Sequence, residues 1–191
     1  MGSVLRRTLG VAITASIVAL ASTASAQTDT RWKNAKDPSY YLSVAGGGQC
    51  GAGHGSCWYN NGTQVVIWHG YSNDQEWFAK QDGTASTIYS ARFLDPTWAY
   101  NSCIGVAGSS TSWGANLVVW QCNGNADQTW TARPASDFGL SAPGCFVFQN
   151  SDGQVMAVGG GTMANGTHVV QWPVDQNHAA TIDQAWCPES L

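Results

Sequence analysis

One phrase is written three times in this chain: Asp74-Gln75-Glu76-Trp77, Asp127-Gln128-Thr129-Trp130 and Asp183-Gln184-Ala185-Trp186. A second tryptophan precedes each copy, in Val65-Val66-Ile67-Trp68, Leu117-Val118-Val119-Trp120 and Val169-Val170-Gln171-Trp172. Fifty-two residues separate Trp68 from Trp120, and fifty-two separate Trp120 from Trp172. A period of that length, held three times, means one supersecondary unit built in triplicate. Each unit opens on a short strand, Leu42-Ser43-Val44, Ile104-Gly105-Val106 or Met156-Ala157-Val158. A turn follows, then the apolar strand that ends in tryptophan. Asn61-Gly62-Thr63 and Asn165-Gly166-Thr167 place Asn-Gly, a strong hairpin signal, at the same point of two units. Both triplets also fit the N-glycosylation pattern, but their recurrence in register favours the turn. Short strands at this spacing, without helical periodicity, predict an all-β single domain.

The first 26 residues are expected to be a leader rather than part of that domain. Arg6 and Arg7 precede an apolar run from Leu9 to Leu20, and Ala24-Ser25-Ala26 offers small residues before Gln27. This is the pattern of a secretory signal peptide, so the protein is expected to be secreted and extracellular. Losing the two arginines leaves six basic residues against twelve acidic ones. That balance, without any basic block, argues against nucleic acid as a partner. No later stretch is apolar enough to insert in a membrane.

All six cysteines follow the leader, which fits disulfides formed in an oxidising compartment. Their spacing pairs Cys50 with Cys57, Cys103 with Cys122 and Cys145 with Cys187. Loop-closure entropy assigns these bonds about 2.5, 3 and 4 kcal/mol in turn. None has the close spacing of a structural zinc pair, and no metal or cofactor is expected.

Three meeting tryptophans, Trp77, Trp130 and Trp186, are read as the structural core around a shared axis. Each indole N–H then needs a backbone acceptor. The three Q-x-W motifs, with Cys103-Ile104-Gly105-Val106 and Trp120-Gln121-Cys122-Asn123-Gly124 in the middle unit, resemble ricin B-type lectin domains. The resemblance implies a β-trefoil, a six-stranded barrel capped by three hairpins, over residues 38–191. A segment of 27–37 precedes it, and the units run over about 38–82, 83–136 and 137–188. It also implies a Cys103–Cys122 bond and a shallow sugar pocket on each unit.

In such pockets an aromatic ring stacks on the sugar, the place held here by Trp68, Trp120 and Trp172. Polar contacts come from around the Q-x-W turn, making Asn73, Asp74, Gln75, Asp127, Gln128, Asp183 and Gln184 candidate contacts. The family's first-strand Asp is replaced by Ser43, Gly105 and Ala157, and valines (66, 118 and 170) stand two residues before each aromatic. Unit one, with Trp68, Asn73, Asp74 and Gln75, is the favoured pocket. It also carries ten extra residues between strand and tryptophan, including Cys50, His54, Cys57, Trp58 and Tyr59. Trp58 and Tyr59 belong either to an accessory binding loop or to a cover over the hairpin. Unit three carries an expanded loop from Pro173 to Thr181, with Asp175, Asn177 and His178.

Two glutamates, Glu76 and Glu189, and four scattered histidines supply no carboxylate pair, nucleophile or metal motif. The sequence therefore reads as a non-enzyme. It is expected to bind a glycan, of galactose or xylan type by the resemblance, and to be monomeric unless part of a complex. The competing reading is a protein-interaction subunit of a secreted toxin or adhesion complex, or an inhibitor.

Overall fold

The computed structural model describes residues 30–47, 49–50, 57–58, 60–82, 85–90, 102–174 and 180–190. For 47, 49–50, 57–58, 73, 78–82 and 85–90 it describes the backbone alone. Each unit supplies four strands to the main sheet, and unit one adds a short separate pair. Unit one supplies β1 (Thr30–Asn34) and β2 (Tyr40–Val44), then the short β3 (Gln49–Cys50) and β4 (Cys57–Trp58), then β5 (Thr63–His69) and β6 (Trp77–Asp82). Unit two supplies β7 (Ala85–Ser90), β8 (Ser102–Val106), β9 (Leu117–Gln121) and β10 (Thr131–Pro134). Unit three supplies β11 (Phe146–Gln149), β12 (Gln154–Val158), β13 (Val169–Pro173) and β14 (Trp186–Ser190).

Apart from the separate β3/β4 ribbon, these strands form one antiparallel sheet of twelve. The outer strands of the units pair around a ring, β6 with β1, β1 with β14, β14 with β11 and β11 with β10. The ring continues through β6 with β7, and β7 lies against β10. The inner strands make three hairpins, β2/β5, β8/β9 and β12/β13. This is the β-trefoil, a near-closed barrel of six strands with three hairpins.

Trp77, Trp130 and Trp186 are wholly buried in one core cluster. Their indole N–H groups donate to the carbonyls of Leu42 (2.9 Å), Ile104 (3.1 Å) and Met156 (3.3 Å), the same position in each unit. Burying an indole of 150–250 Å² at ~25 cal/mol/Å² is worth about 4–6 kcal/mol before entropic costs. The repeated tryptophan is therefore what the barrel closes upon.

Residues 30–34, ahead of the expected start at residue 38, form β1 and match β14 over five residue pairs. Trp32 and Asn34 point inward from it and are buried, so the strand belongs to the core although it carries no repeat signature. Cys103–Cys122 and Cys145–Cys187 are both formed, the second joining the start of β11 to β14. Cys50 stands opposite Cys57 in the β3/β4 register. Their side chains and that of Trp58 lie outside the described residues. So do the expected leader at 1–26, His54, Tyr59, and Asp175, Asn177 and His178.

Candidate functional site

Each Asp-Gln pair sits in a single turn of 3-10 helix, at Asn73–Gln75, Ala126–Gln128 and Ile182–Gln184. The glutamines are buried there, and both ends of each amide are occupied by backbone. Oε1 accepts from the N–H of Ser72, Asn123 or Thr181, at 2.9 Å in each case. Nε2 donates to the carbonyl of Trp68 (3.4 Å), Gln121 (3.0 Å) or Pro173 (3.3 Å). Gln75, Gln128 and Gln184 are thus clamps that tie the turn to the strand end carrying the outer tryptophan. They hold the site's shape.

The outer tryptophans differ from the core ones. Trp68, Trp120 and Trp172 are 46%, 44% and 46% exposed. The edge of each ring rests on a turn glycine of a neighbouring unit: Trp68 on Gly166, Trp120 on Gly62 and Trp172 on Gly114. Those glycines have φ of 80°, 90° and 78°, a region that side chains avoid. Each of these glycines also donates its N–H to the strand that carries the tryptophan, from Gly62 to Val119, Gly114 to Gln171 and Gly166 to Ile67. The indoles are thereby fixed without being covered.

The aspartates separate the units. Asp74, in unit one, is buried and accepts from the Ser72 hydroxyl. The side chain of Asn73 lies outside the described residues. Asp127, in unit two, leans into the space left by Gly105, where a Cβ would stand 3.0 Å from its Oδ2. A carboxylate thus faces the place in the first strand that Gly105 leaves without a side chain. Asp127 and Trp120 line a cavity of about 230 Å³ floored by Val118. Asp183 and Trp172 line one of about 360 Å³ floored by Ala157 and Val170. Unit one, favoured by the sequence, has its carboxylate folded inward, and the open pockets described here belong to units two and three.

Sequence reasoning passed over Lys36, which lines the unit-three cavity. Asn34 holds it there, accepting from the Lys36 N–H (3.0 Å) and donating to the Asp183 carbonyl (2.8 Å). Lys36 lies in the turn that opens unit one, so only closure of the chain brings it to unit three. Trp113, 69% exposed, was also passed over. Its signal was its position, since it precedes Gly114 where Asn61 and Asn165 precede their glycines. Among the described residues no group of three His, Cys, Asp or Glu could hold a metal ion. Both glutamates are engaged by β1, Glu76 by Arg31 (3.0 Å) and Glu189 by Lys33 (2.7 Å).

Residues 97–172 match the family model described as ricin-type β-trefoil lectin domain-like. Over that stretch the chain is similar to ricin-type β-trefoil lectin-like domains. No curated protein matches the sequence significantly. Among solved structures, the designed three-fold symmetric protein ThreeFoil superposes with a TM-score of 0.66 at 16% identity, over 85% of this chain and 99% of that one. A ricin B-like lectin of Macrolepiota procera, solved in complex with lactose, gives 0.60 at 17% identity, over 85% and 96%. A mosquitocidal holotoxin gives 0.65 at 16% identity over 86% of this chain, which spans 17% of the toxin's length. At these identities the structural likeness is one of fold.

Proposed function

We propose that this ricin-type domain is an exported, non-catalytic lectin that holds glycans by stacking them on Trp120 and Trp172. The observation that carries the reading is the state of the outer tryptophans, half exposed on a ring that fixes their orientation. Two of them stand beside an open cavity and a carboxylate. A flat apolar face next to an acceptor of two hydroxyls is the chemistry a pyranose needs, since charged acceptors make the stronger hydrogen bonds. The lactose complex of the Macrolepiota lectin supports a sugar as the ligand class. The match of residues 97–172 to a lectin-like family model supports a non-catalytic role.

A glycan array with wild type and with Trp68→Ala, Trp120→Ala and Trp172→Ala tests this. Binding is expected in the wild type. Trp120→Ala and Trp172→Ala are each expected to weaken their own site by at least about tenfold, or ~1.4 kcal/mol. Trp68→Ala should matter least, because Asp74 is turned away from the surface. A wild type that binds no glycan, yet recovers an exported protein partner from culture medium, would replace the lectin with an interaction subunit.

A further inference from the structure

The unit-two cavity does not end at Asp127. A second cavity of about 350 Å³ adjoins it, sharing Val106, Ser109 and Asp127 with the first. Its far wall is the turn that opens unit three, Asn150, Ser151 and Asp152. The wall is built rather than incidental. Asn150 is buried, accepts from the N–H of Asp152 (3.1 Å) and Gln154 (2.9 Å), and donates to Gln171 Oε1 (2.9 Å). Gln171 in turn donates to the carbonyls of Ser110 (2.7 Å) and Ser112 (2.9 Å). The amide network fixes the turn from below and leaves the Asp152 carboxylate at the rim.

We infer that unit two binds an oligosaccharide, with one sugar on Trp120 and the next in the cavity between Asp127 and Asp152. The inference rests on the lectin reading and names the ligand class of that site. The size argument is direct, because small-molecule sites usually fall within about 300–1,000 Å³. The Trp120 cavity lies below that range by itself and reaches it only with its neighbour. The charge argument sets the composition. Among the described residues, two carboxylates line the joined groove and no Lys, Arg or His does. Neutral sugar hydroxyls find acceptors there, whereas a uronic acid would meet like charge. Unit three differs at the corresponding turn, where Lys36 donates to the Gly161 carbonyl at 2.7 Å and stands across the pocket. That pocket is therefore a single-sugar site, and of the two described pockets the extended one belongs to unit two.

Calorimetric titration of the full chain tests this with xylose, galactose, glucose, mannose and N-acetylglucosamine, each beside its own homotrimer, and with trigalacturonate. At least one neutral trimer is expected to bind about tenfold tighter than its monosaccharide, and trigalacturonate to gain nothing over galacturonate. Asp152→Ala should remove most of the trimer's advantage and leave the monosaccharide unchanged, while Trp120→Ala weakens both. Equal affinity of monosaccharide and trimer for every sugar bound overturns the extended site and leaves the lectin reading intact. So does an Asp152→Ala chain that keeps the full trimer advantage. Absence of binding in the whole panel and on the array overturns both.

Discussion

Gln128 and Gly105 show how one side chain can serve the site without touching a ligand. Replacing Gln128 by Ala removes the partners of the Asn123 N–H and the Gln121 carbonyl, and empties the space of a buried side chain. Urea unfolding should report a loss of about 2–3 kcal/mol, with solvent able to reach part of the freed backbone. Loss of sugar affinity with stability unchanged would instead make Gln128 a ligand contact. Gly105 is the complementary case. Restoring the acidic residue usual at this place, Gly105→Asp, should destabilise, because its Cβ meets Asp127 Oδ2 and Gln128 Cγ at 3.0 Å. It would also set two carboxylates against each other. The absent first-strand Asp and the present Asp127 are therefore two halves of one exchange.

The hairpins interlock as a ring, and the ring has one odd member. Asn61 Oδ1 accepts from the Gln121 N–H (2.7 Å), and Asn165 Oδ1 accepts from the His69 N–H (2.7 Å). At the third junction the turn residue is Trp113 and the strand residue is Pro173, which has no N–H to donate. The missing acceptor and the missing donor match. Trp113→Asn alone should therefore gain no stability, whereas Trp113→Asn with Pro173→Ala should gain a bond of about 0.5–1.5 kcal/mol beyond the sum of the single changes. A thermal-unfolding double-mutant cycle reads that coupling, and strict additivity would contradict the match. The same junctions explain what was legible in the sequence. The three Q-x-W tryptophans, the hairpins and the spacing of Cys103–Cys122 are local or periodic, so they could be read directly, and Cys145–Cys187 followed by elimination. Lys36, Asp152 and the inward turn of Asp74 could not. The first two reach their pockets from the next unit, and Asp74 turns on one serine hydroxyl two residues away. The glutamines misled for a related reason, since a motif beside a pocket reads equally as contact or as clamp until its amide partners are known.

Closure of the whole molecule depends on β1, which carries no repeat signature yet ties the rest of unit one to unit three. Arg31 reaches Glu76 in unit one, Trp32 packs edge-on to Phe146 and Phe148 of unit three, and Lys33 reaches Glu189 on β14. The Lys33–Glu189 pair makes this closure sensitive to pH. Hydrogen bonding to Lys33 is the main cause that holds the Glu189 carboxyl below its ordinary value, and the same bond raises Lys33. A carboxylate whose pKa is lower in the folded than in the unfolded chain stabilises above the ordinary glutamate range. That contribution is lost as pH falls through the range and on to the depressed value. The Lys33 share, with a raised pKa, is full below the ordinary lysine value and fades as pH rises through the higher one. Because both side chains are about a quarter exposed, the pair is worth at most about 1 kcal/mol. Glu189→Gln should therefore lower stability slightly at neutral pH. The gap to wild type should close as the pH falls below the glutamate range, where the native carboxyl is itself protonated. Chemical unfolding of both chains between neutral and acid pH measures that gap. A gap that stays constant would mean that β1 is held by Trp32 and the strand ladder alone.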